Sequence, residues 1–170
     1  MPVRVPPHKE AGADPGAEHR LAMCRLAVGR EPRLTVSDLE LRRPGPSYTV
    51  DTLRALHEAD PGRELTFILG ADVARTLARW REPHEILALA RLAVAERDGT
   101  AQREIRAALV GLGAAGRLEF LDMPPIDVSS SEVRERVAAG ETIDGLVPAP
   151  VAAYIIEHGL YRAPRPAGVG

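Results

Sequence analysis

Residues 65–69, Leu-Thr-Phe-Ile-Leu, form a compact apolar run between the polar stretch Asp60–Glu64 and the turn-prone Gly-Ala-Asp at 70–72. A strand with no polar alternation is one covered on both faces, which is the signature of a parallel sheet. Two more short runs follow, Arg-Leu-Ala-Val-Ala-Glu at 91–96 and Arg-Leu-Glu-Phe-Leu at 117–121. The segments between them carry helical periodicity and are too long for hairpins, so the strands must run parallel. The expected fold is therefore α/β, an open, doubly wound and mostly parallel sheet with helices at its C-terminal end.

The remaining punctuation fills in the elements. Helices are expected over 17–28, from Thr49 to about Ala59, through 71–90 with Pro83 opening a second segment, over 101–110, over 130–139 ended by Gly140, and over 150–158 opened by Pro150. Val-Arg-Val at 3–5 reads as a strand end, and the alternation of Arg33–Leu41 as a further strand. A single domain over 1–162 is expected, with a disordered tail at 163–170. Gly-Leu-Gly-Ala-Ala-Gly at 111–116 matches a dinucleotide fingerprint only in letters. A helix precedes it and a strand follows, the reverse of the order that motif needs.

Composition narrows the functional classes. The net charge of -2 argues against general affinity for nucleic acid or an anionic membrane. Cys24 is the sole cysteine, so neither an intrachain disulfide nor a cysteine zinc cluster can form, as suits a reducing compartment. No run of 18 apolar residues occurs, and the histidines lack metal-ligand spacing. The protein is expected to be cytoplasmic. Oligomeric state is left open, a homo-oligomer included. Arginine supplies every basic side chain except Lys9, an excess in which coding bias is the simplest reading.

In an α/β sheet, ligands sit beyond the carboxyl ends of the strands, so the segments there deserve the closest reading. Ser129 and Glu132 have the spacing of a capping box, which starts a helix and leaves the N–H groups of Ser130 and Ser131 facing outward. Arg134 lies one turn in and leans back toward that end. The group is either an anion site or an ordinary cap with a surface arginine. Gly70 permits a close turn, and Asp72 either accepts from sugar hydroxyls or caps the next helix. Trp80 packs in the core or stacks on a ligand. Ser47, Tyr48 and Thr49 read a carboxylate or phosphate, or Thr49 is a plain N-cap. His8 and Lys9 meet a phosphate or lie in solvent.

Taken together, Pro-Pro-His-Lys at 6–9, Pro-Gly-Pro-Ser-Tyr-Thr-Val-Asp-Thr-Leu at 44–53, Phe-Ile-Leu-Gly-Ala-Asp at 67–72, a tryptophan ten residues after Gly70, Val-Ser-Ser-Ser-Glu-Val-Arg at 128–134 and the stretch 145–161 resemble bacterial nicotinate mononucleotide adenylyltransferases. The resemblance runs in order along nearly the whole chain. It implies transfer of AMP from ATP to nicotinate mononucleotide, giving nicotinate adenine dinucleotide and pyrophosphate, with Mg2+ accompanying ATP and no dedicated metal ligands. It further implies that Gly70, Asp72, Ser129, Ser130, Ser131 and Arg134 serve ATP, with Arg134 catalytic. Lys9, Ser47, Tyr48, Thr49 and Trp80 would serve the mononucleotide.

Two departures from the family pattern stand out. Ser131 replaces a threonine, which keeps the hydroxyl. The family's opening G-G-T/S-F-D-P-x-H-x-G-H segment is absent, so a missing first βα unit and impaired turnover are expected. The alternatives are a non-catalytic nucleotide-binding module, or a related adenylyltransferase acting on nicotinamide mononucleotide or phosphopantetheine.

Overall fold

The computed structural model describes residues 1–3, 14–96, 101–124 and 126–162. Among them the chain forms helices α1 (Ala17–Val28), α2 (Leu39–Arg42), α3 (Thr49–Ala59), α4 (Ala71–Ala74), α5 (Pro83–Leu89), α6 (Ala101–Leu109), α7 (Ser130–Ala139) and α8 (Ala149–Glu157). Its strands are β1 (Leu65–Gly70), β2 (Ala90–Glu96) and β3 (Leu118–Asp122). Two compact units emerge, Tyr48–Ile126 and the pair of segments Met1–Ser47 with Asp127–Gly170.

The unit Tyr48–Ile126 holds the sheet, in the order β1-β2-β3 and parallel throughout. Leu65 pairs with Ala90 and Gly70 with Ala95, while Leu92 pairs with Leu118 and Glu96 with Asp122. The central strand is the most deeply buried, as a strand with neighbours on both sides and helices over it must be. Ala90, Leu92, Ala93 and Val94 are all buried, and so is Glu96 at its carboxyl end. Val50 and Leu53 of α3, Ile86 and Leu87 of α5, Ile105 and Leu109 of α6, and Leu77 complete this core. The helical segments at 71–90 arrive as α4, a 3-10 turn at Leu77–Arg79 and α5 with Pro83 in its first turn. Gly113 and Gly116 lie between a helix and β3, both at positive φ, so the 111–116 glycines make a connection and no fingerprint.

The other unit has a separate core. Val133 of α7, Ile143, Val151, Ala152 and Ile155 of α8, and Leu160 are buried together, with Met23 and Leu26 of α1 against them. α7 ends where Gly140 takes φ 74, a left-handed position that costs glycine nothing. Glu141 N–H then donates to the Arg136 carbonyl at 2.8 Å, closing the helix end.

One expected element is corrected. Arg33–Leu41 is not a strand. Ser37 Oγ accepts from the Leu39 N–H at 3.3 Å, and α2 begins immediately after Asp38. Arg42 donates to Asp38 at 2.9 Å across one turn and holds its carboxyl below the ordinary range. Short polar side chains that bond nearby backbone divert a run from the sheet ladder, and Leu34 is left 57% exposed. Arg4 and Val5 of the expected first strand, and the tail 163–170, lie outside the described residues.

Candidate active site

The start of α7 is built from its own first turn. Ser129 is the N-cap, in extended backbone, and its Oγ accepts from the Glu132 N–H at 3.0 Å. Val133 N–H donates to the Ser129 carbonyl at 3.1 Å. Helix geometry offers no intrahelical carbonyl to the N–H groups of Ser130 and Ser131. Arg134 Nη2 donates to Ser131 Oγ at 3.0 Å, so the guanidinium lies back over the helix start, as the tilt of helical side chains demands. The three serines are exposed and Arg134 is half-buried. Two outward N–H groups, serine hydroxyls and a guanidinium at the positive end of a helix are chemically suited to bind an oxyanion. The Glu132 carboxylate accepts from Arg136 at 3.2 Å, one turn further along the helix. Arg134 also acts at a distance. Burial pushes the Tyr161 phenol up, and the Arg134 charge opposes that rise.

In the unit Tyr48–Ile126 the remaining candidates gather around β1 and α3. Gly70 ends β1 with φ -74 and ψ 158, an ordinary extended conformation, so the turn does not itself require glycine. An added Cβ would meet nothing within 4 Å. Asp72 caps no helix, because Gly70 is the N-cap of α4. Its carboxylate is 97% exposed and accepts from Arg75 at 2.8 Å. Thr49 is likewise no cap. It is the first residue of α3, and Tyr48 holds the cap position without a side-chain bond. Tyr48 is exposed, with the Arg81 guanidinium 4.8 Å from its ring centroid. Ser47, in the other unit, has a buried Oγ with no hydrogen-bond partner among the described residues. Lys9, together with His8, lies outside the described residues.

Trp80 is half-buried at the end of the 3-10 turn. Its Nε1 donates to Thr76 Oγ1 at 3.0 Å, and its ring lies 6.2 Å from that of Phe67 on β1. One end of the indole is thus fixed while the rest is not enclosed, an arrangement that serves packing and leaves ring surface to share.

Sequence reasoning missed three arginines here. Arg81 covers Tyr48, Arg75 pairs with both Asp72 and Glu104, and Arg54 holds Asp51, Glu82 and Glu85. In a chain where nearly every base is arginine, no single one stands out. Among the described residues no group of three histidine, cysteine or carboxylate side chains is placed to hold a metal.

Solved structures define the fold. The chain superposes on nicotinic acid mononucleotide adenylyltransferase of Plasmodium falciparum complexed with NaAD, with TM-score 0.70 and 19% identity over 93% of this chain and 78% of that one. The same enzyme complexed with APC gives TM-score 0.66 over 86% and 76%. This is a Rossmann-like nucleotidyltransferase fold.

Sequence relatives narrow it. A protein of Symbiobacterium thermophilum described as a probable nicotinate-nucleotide adenylyltransferase is 43% identical over 95% of this chain and 78% of its own length. Proteins of the same description from Roseiflexus sp. and Thermus thermophilus are 48% identical (85% and 72% covered) and 43% identical (92% and 78%). With residues 1–136 matching the cytidylyltransferase-like family model as well, the chain belongs to that family and, within it, to the nicotinate-nucleotide adenylyltransferases.

Proposed function

We propose that this chain acts on ATP and nicotinate mononucleotide, forming nicotinate adenine dinucleotide and pyrophosphate. The observation that carries this reading is the α7 start, where Ser129, Ser131 and Arg134 assemble an oxyanion receptor on one helical turn of a chain from this family. A triphosphate held there meets Arg134, the hydroxyls and the free N–H groups of Ser130 and Ser131. Asp72, exposed after β1, accepts from a ribose hydroxyl. Trp80 offers its free face to the pyridine ring, while Ser47, Tyr48 and Thr49 read the nicotinate carboxylate. Lys9 completes the mononucleotide's contacts.

The reaction demands alignment more than chemistry from the protein. The mononucleotide's phosphate oxygen attacks the α-phosphorus of ATP, and the bond to the β,γ-pyrophosphate breaks with its electron pair leaving on pyrophosphate. Both substrates are anionic, so the main barrier is repulsion between phosphates, which fixed donors and a guanidinium offset. Mg2+ would arrive on the triphosphate and screen it. The nucleotide's own phosphate oxygens would supply most of the ion's ligands. The described residues include no helix long and apolar enough to cross a membrane. We propose the cytoplasm as the chain's location, on the single cysteine that suits a reducing compartment.

Calorimetric titration with each substrate, followed by turnover measured on nicotinate and nicotinamide mononucleotides, tests this. Saturable binding of ATP and preference for the acid are expected. Preference for the amide overturns the substrate assignment, and no binding of either substrate overturns the function.

A further inference from the structure

The turn that follows Trp80 is held in an unfavourable shape. Glu82 takes φ 51 and ψ 56, and only Tyr161 joins it among the described non-glycine residues at positive φ. Pro83 comes next, and a residue before proline is pushed toward extended backbone. Such a conformation persists only where its surroundings over-determine it. Here the agent is Arg54, projecting from α3. Its Nε donates to Glu85 Oε1 at 2.7 Å, and its Nη1 to Asp51 at 3.2 Å. Its Nη2 bonds both Glu85 Oε2 and the Glu82 carboxylate. A simple staple between α3 and α5 would need Glu85 alone. The additional bond to Glu82 grips the side chain of the strained residue itself. From the other side Arg81 Nε lies 3.3 Å from Glu82 while its guanidinium covers Tyr48.

We propose that Arg54 is a positioning residue for the mononucleotide's ring. It latches Glu82 in the left-handed conformation and thereby sets the direction in which the chain presents Trp80 and Arg81. The proposal rests on the reading of Trp80 as the ring's stacking surface. Trp80 is the sole tryptophan, so its emission reports the turn directly.

The test uses the full chain and its Arg54→Met variant, which keeps an apolar stem and removes the grip. Affinity for nicotinate mononucleotide should fall about tenfold or more, the factor by which an unheld left-handed residue is depopulated. Affinity for ATP should stay within about twofold, since the α7 donors are untouched. Ligand-free Trp80 emission should shift. Adding Glu82→Gly to Arg54→Met should recover much of the lost affinity, because glycine takes positive φ unaided.

Wild-type emission and mononucleotide affinity in folded Arg54→Met overturn the proposal. Equal weakening of both substrates without rescue by glycine also overturns it. If Arg54→Met does not fold, the pair Glu82→Gln and Glu85→Gln loosens the latch from the carboxylate side, and the same selective loss is required of it. Should the wild-type chain bind no nicotinate mononucleotide, the functional reading fails. The latch is then judged by the emission shift and its reversal by glycine.

Discussion

At Arg134 the side chain folds back onto Ser131 of its own first turn, and that contact is water-accessible. An exposed bond of this kind contributes little to folding. Against a desolvated phosphate, the role proposed for it, the same guanidinium would contribute about 2–5 kcal/mol. Arg134→Ala should therefore leave the melting temperature almost unchanged while ATP affinity collapses, as calorimetry would show. Normal ATP affinity in the folded variant rules out the phosphate role. At Trp80 the fixed Nε1 and partly open ring predict that nicotinate mononucleotide quenches emission, and that Trp80→Phe weakens the mononucleotide more than ATP. Saturating mononucleotide with unchanged emission counts against stacking. The serines and Arg134 were legible because a capping pattern dictates its own geometry. Arg54 and Arg81 were not, since beyond the local bond of Arg54 to Asp51 their partners Glu82, Glu85 and Tyr48 lie 28 or more residues away in the sequence or are set by a turn that no local pattern encodes.

Elements differ in how much of themselves they reveal. β2 was readable because a strand buried on both faces has no choice but continuous apolar composition. β1, expected to be covered on both faces, instead leaves Thr66 and Ile68 exposed, and β3 leaves Glu119 exposed, so these two edge strands are each covered on one face only. Arg33–Leu41 misled for the opposite reason: a short alternating run fits strand and helix alike, and Ser37 and Asp38 decide through their own hydrogen bonds. The cap of α7 is expected to contribute about 1 kcal/mol, so Ser129→Ala should lower stability by that amount in urea unfolding. Leu77, wholly buried beside α5, should lose about 2–5 kcal/mol on conversion to alanine. The α3–α5 staple carries a pH signature. Arg54 hydrogen bonds hold the Glu85 carboxyl below its ordinary value, with the neighbouring Glu82 adding to the effect and burial opposing it. A depressed carboxylate stabilises the fold above its unfolded value of about 4.3 and ceases to as pH falls through the folded one. Amide exchange in α3 and α5 should quicken below that range in the wild type and show no such step in Arg54→Met.

On the scale of the molecule, two cores occur in one chain, one around β2 and one around α8. We propose that residues 1–162 nonetheless act as a single cooperative domain. Amides of β2 and of α8 should then exchange through openings of equal free energy; separate values would overturn the proposal. The division of the chain also has a consequence during synthesis. Tyr48–Ile126 is continuous in sequence, whereas its companion joins segments from either side of it. His19 of α1 bonds Tyr154 of α8 across 135 residues. At roughly 5–20 residues per second, a ribosome takes about 7 to 27 s to deliver that partner. For that interval Met23 and Leu26 have nowhere to bury their side chains, while the sheet-bearing stretch can already close. During synthesis α1 thus waits for a partner made 135 residues later, and in that interval it is open to capture by a chaperone.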